Sequence, residues 1–330
     1  MKRRNAYRLL FLGLCTVALL AASWSPGAAA PVTIKFAHVA TVDDSRHQAA
    51  LKFKELVETR SKGAIKVEIY YGGQLGGDRD AIEGLRLGTV QMTTAGAGIY
   101  ALFEPKMGIT ALPFLFENFE EAWKFLDGPV NAEVTKLLTS KGIRGLAYWE
   151  NGFRCITDSV RPVKTPADVK GLKIRTPENP VILSTMKALG ANPLPMAWAE
   201  VYVALQQGAI DGQENPIPLI YTSKLYEVQK YLAITNHVYE PLLTAISERF
   251  WQTLTPEQQK IVADAAVEAG AFHRQLVKKQ TEQLVEVLKQ KGMQITYPDL
   301  KPFRQAAANV RDQFVGVFGR ELIDKAYGSR

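Results

Sequence analysis

Thr255-Pro256-Glu257-Gln258 caps a helix that can run without a break to Gly292. Thirty-odd residues at 1.5 Å each make a rod on the order of 50 Å, longer than one small domain. Ile261, Val262, Ala265, Ala269, Phe272, Leu276, Leu284 and Leu288 keep a helical period, so one side is apolar along its length. Two readings stay open from periodicity alone: a coiled-coil or dimer helix, or a helix crossing from one folded unit to another. A chain of 330 residues, 47% hydrophobic and 22% charged, can build two such units.

Upstream, strands and helices alternate. Val32, Ile34 and Phe36 alternate with Thr33, Lys35 and Ala37 as in a half-buried strand. A helix from about Arg46 to Lys62 stops at Gly63, and a strand from Ile65 to Tyr71 ends at Gly72-Gly73. A short helix, Asp78 to Leu87, and a strand, Val90 to Thr94, follow. The same grammar returns with strands at Gly145 to Trp149 and Leu172 to Arg175, and helices at Asn179 to Leu189 and Trp198 to Gln207. This alternation predicts two α/β units, each a parallel sheet with helices on its faces.

The first thirty residues stand apart. Lys2, Arg3, Arg4 and Arg8 precede an apolar run from Leu9 to Ala22, and the segment ends Ala28-Ala29-Ala30. The run is too short to span a bilayer, which needs about 20 apolar residues. Its three parts describe a secretory signal cleaved after Ala30, leaving an exported product. Cys15 sits inside the apolar run after Leu14, which argues against a lipid anchor. Without these four basic residues the formal charge of +7 falls to +3, too mild to suggest nucleic acid as a partner. Cys155 is then the sole cysteine, so no internal disulfide is expected.

Enzymatic chemistry finds no footing. There is neither a Gly-x-Ser-x-Gly elbow nor a phosphate loop, and Gly72-Gly73 through Gly76-Gly77 lacks the dinucleotide spacing and reads as a turn. His38, His47, His237 and His273 show no metal-ligand spacing. Neither catalytic residues nor a metal or cofactor is expected. Binding chemistry is better represented. Arg175 ends a strand, where ligands bind in α/β sheets, and its planar fork suits a carboxylate; a surface salt bridge is the alternative. Arg154 follows another strand in Glu150-Asn151-Gly152-Phe153-Arg154. Asp211-Gly212-Gln213-Glu214-Asn215-Pro216 reads as a polar turn whose amides could also read ligand oxygens.

Gly171-Leu172-Lys173-Ile174-Arg175-Thr176-Pro177, the block from Pro195 to Gln206 and Asp211 to Pro216 together resemble the substrate-binding proteins of TRAP transporters, the tripartite ATP-independent periplasmic class, of DctP type. Gln74-Leu75-Gly76-Gly77-Asp78-Arg79, Thr235-Asn236-His237 and the long capped helix fit the same family, so the resemblance covers essentially the whole chain after residue 30. It implies an α/β, two-lobed periplasmic binding fold with a ligand cleft between the lobes and the long helix spanning both. It also implies a small organic acid as ligand, membrane permease subunits as partners and a periplasmic location; a monomer is expected, with a dimer through Leu300 to Tyr327 left open. By the same resemblance Arg175 pairs with the ligand carboxylate, Arg154 assists, Asn215 contacts the ligand, and Trp198 lines the floor of the site. His38, Asp78, Arg79 and Glu150 are further candidates for reading the rest of the ligand.

Sialic-acid-binding members of the family place a Glu after the third strand. Here the stretch is Thr94-Ala95-Gly96-Ala97-Gly98, with no side chain to replace it, which disfavours sialic acid. Trp198 offers a flat face to a sugar acid such as a uronate, whereas a C4-dicarboxylate would use Arg79 or Arg154 as a second cation. The two are not separated by sequence. The expected division is residues 31–151 with 241–280 as lobe I, and 152–240 with 281–330 as lobe II.

Overall fold

The computed structural model describes residues 31–328, so the expected export signal lies outside the described residues. The strands are β1 (Val32–Ala37), β2 (Ile65–Tyr70), β3 (Met92–Gly96), β4 (Ile143–Asp158), β5 (Lys173–Thr176), β6 (Asn192–Pro195), β7 (Gly212–Pro216), β8 (Tyr231–Ser247) and β9 (Gln294–Thr296). Their order is β2-β1-β3-β8-β4-β7-β5-β6, with β9 on β8. β1 lies parallel to β2 and β3, and β5 lies parallel to β6 and β7, as strand–helix–strand alternation requires. The helices Ser45–Arg60 and Asp78–Leu87 serve the first group, Pro180–Ala188 and Trp198–Gln206 the second.

Two long antiparallel strands join these halves. β4 runs 16 residues and β8 runs 17. Their first and last stretches pair so that Trp149 opposes Leu242 beside β3, while Arg154 onward also pairs with β7. Between them the register shifts at Glu150/Gly152 and again at Arg154/Ile156. Gly152 holds φ +121°, a conformation that favours glycine, and Asn236 on β8 holds φ +42°. The Cys155 thiol donates to Asn236 Oδ1 at 3.2 Å, tying the second bulge across the two strands. Both strands therefore bend at the same level.

The run from Asp211 to Pro216, expected as a polar turn, contains β7, buried at every residue. Its polar side chains are paired internally, with Gln213 donating to Thr157 Oγ1 at 2.9 Å and Asn215 donating to Gln213 Oε1 at 2.5 Å. A strand can be polar and central when its side chains bond one another.

The long helix is Pro256–Gln290, 35 residues, with the Thr255 capping box in place. Val262, Ala265, Ala266 and Ala269 pack in one core with Ile34, Phe36 and Phe53. Leu288 belongs to another core with Leu225, Leu232 and Met293. The helix thus spans both halves, and this chain's own elements bury Val262, Ala265, Ala269 and Leu288 of its apolar side while Phe272 stays exposed. Trp149 Nε1 donates to the Ala266 carbonyl at 2.9 Å, an approach that Gly270 permits: a Cβ there would stand 2.7 Å from the Trp149 ring. The region Leu300 to Tyr327 is four short helices, which bury Phe303, Val310 and Phe318 against Met107 and Val181.

Candidate functional site

Where β4 and β8 bend, the two halves enclose a cleft of about 170 Å³. One wall comes from the loop after β1, the start of the helix Asp78–Leu87 and the end of β3; the other from β5, β7 and the start of the helix Trp198–Gln206. Ligand sites lie beyond strand C-termini in such sheets, and this cleft has that placement from both sides.

Arg175 ends up on β5, 4% exposed. Its Nε and Nη2 both donate to the Met196 carbonyl, at 3.0 and 2.6 Å, and its Cζ stands 5.4 Å from the centre of the Trp198 ring. Among the described residues no carboxylate lies within ion-pairing distance of it. Burial, with Arg154 adding to it, pulls its pKa down to about 10. Arg175 is a desolvated cation lining the cleft, and Glu214, Glu240 and Asp78 act on its charge only from beyond ion-pairing distance.

Arg154 is the opposite case. Its Nε donates to Glu214 Oε2 at 2.5 Å, and Nη2 donates to Glu214 Oε1 at 2.8 Å and to the Glu214 carbonyl at 2.5 Å. Nη1 donates to Glu240 Oε2. Burial opposes its charge, but the two carboxylates raise its pKa above the ordinary arginine value. Burial likewise disfavours ionised Glu214, and Arg154 overcomes this to hold that carboxyl below its usual range. His237 Nε2 lies 3.2 Å from the same Glu214 oxygen.

Glu240 also answers the question raised by the glycine-rich stretch after β3. A Cβ on Gly96 would stand 2.7 Å from Glu240 Oε1. The space above Gly96 is filled by a carboxylate from β8, held by Arg154 and by Asn151 Nδ2 at 3.3 Å. The absence of a side chain at position 96 does not leave the cleft without an acid there.

Of the eight residues singled out by sequence, Arg175, Arg154, Asn215, Trp198, Asp78 and Arg79 line the cleft. Asp78 is half-buried, and burial pushes its pKa up to about 6. Arg79 is exposed at the rim, 3.6 Å from Glu178 of the opposite wall. His38 and Glu150 do not line it. His38 is buried, its Nε2 3.2 Å from His47 Nδ1, and burial drives its pKa down to about 3. Glu150 points away on β4, where Trp123 Nε1 and Tyr239 Oη donate to its Oε2 at 2.6 and 2.8 Å; burial raises its pKa to about 7. Sequence reading missed Arg46, Asn151 and Glu240, all of which line the cleft. For Arg46 there was a signal: a cation in the first turn of a helix opposes the helix dipole. No cluster of His, Cys, Asp and Glu suited to a metal ion occurs among the described residues.

Residues 36–316 match the family described as bacterial extracellular solute-binding protein, family 7. The chain belongs to that family. It is 41% identical over 318 residues to the 2,3-diketo-L-gulonate-binding periplasmic protein of Escherichia coli, covering 96% of this chain and 95% of the relative. Its structure resembles the sugar acid binding protein of Advenella mimigardefordensis in complex with galactonate, with a TM-score of 0.88, 34% identity, and coverage of 91% of this chain and 97% of that one. It also resembles a TRAP periplasmic solute-binding protein of Sulfurospirillum deleyianum with bound succinate, with a TM-score of 0.87, 29% identity, and coverage of 91% and 100%. The architecture is accordingly the two-lobed α/β fold of TRAP solute-binding proteins, and the family is one of receptors.

Proposed function

We propose that this chain is the exported solute receptor of a TRAP transporter, which captures a small organic acid by its carboxylate and delivers it to membrane permease subunits. The observation that carries the reading is Arg175: a buried guanidinium that lines the cleft, stacks near Trp198 and lacks a carboxylate. An incoming carboxylate would supply the missing charge through bidentate, charge-assisted hydrogen bonds in a cleft with little water. Asn215, beside it, offers an amide to a ligand oxygen. The ligand is a sugar acid or a C4-dicarboxylate, as in the solved relatives. The receptor acts as a monomer in the periplasm after cleavage near Pro31, without catalysis, cofactor or nucleic acid. The lobes divide near Asn151 and Glu240, where β4 and β8 bend, and exchange between open and closed forms about that level.

A thermal-shift screen of the periplasmic protein against organic acids tests the proposal. A ligand specific for the native state adds roughly 4 kcal/mol of stability at a thousandfold excess over its Kd. Sugar acids or dicarboxylates are expected to raise Tm, and to fail to do so when Arg175 is replaced by Ala. If no acid shifts Tm, or a bound acid is chemically turned over, the receptor reading fails.

A further inference from the structure

A second guanidinium in the cleft is as poorly compensated as the first. Arg46 is the second residue of the helix Ser45–Arg60 and is 4% exposed. Its Nε and Nη1 are buried with no hydrogen-bond partner, and among the described residues no carboxylate pairs with it. Asp44, next in sequence, is already engaged: Oδ1 accepts from the Arg46 backbone N–H at 2.8 Å and Oδ2 accepts from Thr222 Oγ1 at 2.8 Å. A charged side chain in the first helical turn, against the dipole and stripped of water, destabilises the free protein. Its buried donors are open to a partner from outside the chain.

The neighbouring acid is in the complementary condition. Asp78 Oδ1 is buried with no partner, and Asp78 feels the charges of both Arg46 and Glu240. A set of unfilled donors and an unfilled acceptor thus face one cleft. The groups that satisfy both are hydroxyls, each of which accepts from a guanidinium and donates to a carboxylate. A carboxylate placed there would pair with Arg46 but confront Asp78 and Glu240. The charge balance agrees: four guanidinium groups, Arg46, Arg79, Arg154 and Arg175, line the cleft with four carboxylates, Asp78, Asp80, Glu178 and Glu240. A monoanion adds one negative charge to this balanced set, and a dicarboxylate adds two.

We propose that Arg46 and Asp78 form a second polar subsite that reads the hydroxyls of the ligand, so that the cleft selects a polyhydroxylated monocarboxylate over a C4-dicarboxylate. This rests on the reading of Arg175 as the carboxylate anchor. The subsite lies on the wall opposite Arg175, so an extended hydroxy acid would touch both lobes at once.

Calorimetric titration of the periplasmic protein tests it, with D-galactonate, D-erythronate and D-galacturonate as polyhydroxy probes, and lactate and succinate as controls. At least one polyhydroxy probe is expected to bind tenfold or more tightly than succinate. Arg46→Ala should weaken that probe tenfold or more while leaving lactate within threefold. Ligand-free Arg46→Ala should stay folded and melt within a few degrees of wild type, because removal of a desolvated charge offsets the loss of its attraction to Asp78; Arg46→Lys, which retains charge but not the fork, should recover part of the affinity. The inference is overturned if no polyhydroxy probe binds, if succinate binds more tightly than all three, or if Arg46→Ala, still folded, binds within twofold of wild type. Arg175→Ala separates the two readings: it should abolish binding of lactate and polyhydroxy probes alike, and an unaffected Arg175→Ala would fault the anchor rather than the hydroxyl subsite.

Discussion

A Cβ placed on Gly98 would stand 1.8 Å from Nδ2 of Asn179. Gly98 follows β3 and Asn179 precedes the helix Pro180–Ala188, so this contact joins the two sides of the cleft. Asn179 is not free to swing away, because its Oδ1 caps that helix, accepting from Val181 and Ile182 N–H at 2.9 and 3.3 Å. The Asp44–Thr222 hydrogen bond and the Arg79–Glu178 pair bridge the same two sides. Gly98 is the glycine at which these two sides leave least room for a side chain.

Gly98→Ala should therefore leave each half folded and hold the halves apart. A ligand gripped from both walls loses affinity in proportion to the population of the closed state. We expect a Kd raised tenfold or more by calorimetry, an unchanged circular dichroism spectrum, and a larger radius of gyration than wild type at saturating ligand. An unchanged Kd would show that closure does not limit binding.

Much of this fold was legible in the sequence. Periodicity, caps and glycine stops marked the outer strands and helices because each alternates or repeats against one apolar face. The central strands were hidden for two reasons. β8 is buried at nearly every residue, so it has no period of two to detect. β7 carries Gln213, Glu214 and Asn215, whose composition reads as a turn until their partners Thr157 and Arg154 are known. The site shows the same division. Arg175, Trp198 and Asn215 were reachable because they sit in local blocks at element ends. Glu240 was not, because it reaches the cleft only through the pairing of distant strands, and Arg46 left only the faint mark of a cation in the first turn of a helix.

Arg175→Ala should remove a charge-assisted fork from a buried pair with the ligand. Truncating one partner of such a pair costs about 2–5 kcal/mol, so affinity should fall by roughly thirtyfold to several thousandfold. Arg175→Lys keeps the charge and loses the planar fork, and should recover only part of the loss. Because the guanidinium pairs with no carboxylate among the described residues, neither change should lower the ligand-free Tm much. Titration alongside thermal melting checks both statements, and Arg175→Ala binding within about twofold of wild type would place the carboxylate elsewhere.

Glu150 supplies a pH test. Burial raises its pKa from 4.5 to about 7, so the folded chain binds a proton there more tightly than the unfolded chain does. Its contribution to stability is therefore best below the unfolded pKa and is lost as pH rises through about 7. Glu150→Gln removes this dependence. Its unfolding free energy relative to wild type, from urea titrations, should move in the variant's favour between pH 4.5 and 8. A flat difference, or one moving the other way, would mean that the Trp123 and Tyr239 donors outweigh burial.

Arg154 should behave unlike Arg175 although both line the cleft. Removing Arg154 leaves Glu214 and Glu240 buried without their shared cation, and breaking such a pair destabilises by about 3–5 kcal/mol. Arg154→Ala should thus unfold at markedly lower denaturant than wild type, before any question of ligand arises. The deficit should shrink as pH falls towards 5, because the two uncompensated carboxyls can then take up protons in the folded state. Denaturation of Arg154→Ala and Arg175→Ala side by side at pH 5 and pH 8 decides the matter. If Arg154→Ala keeps wild-type stability at pH 8 yet fails to bind, Arg154 acts on the ligand rather than on the fold.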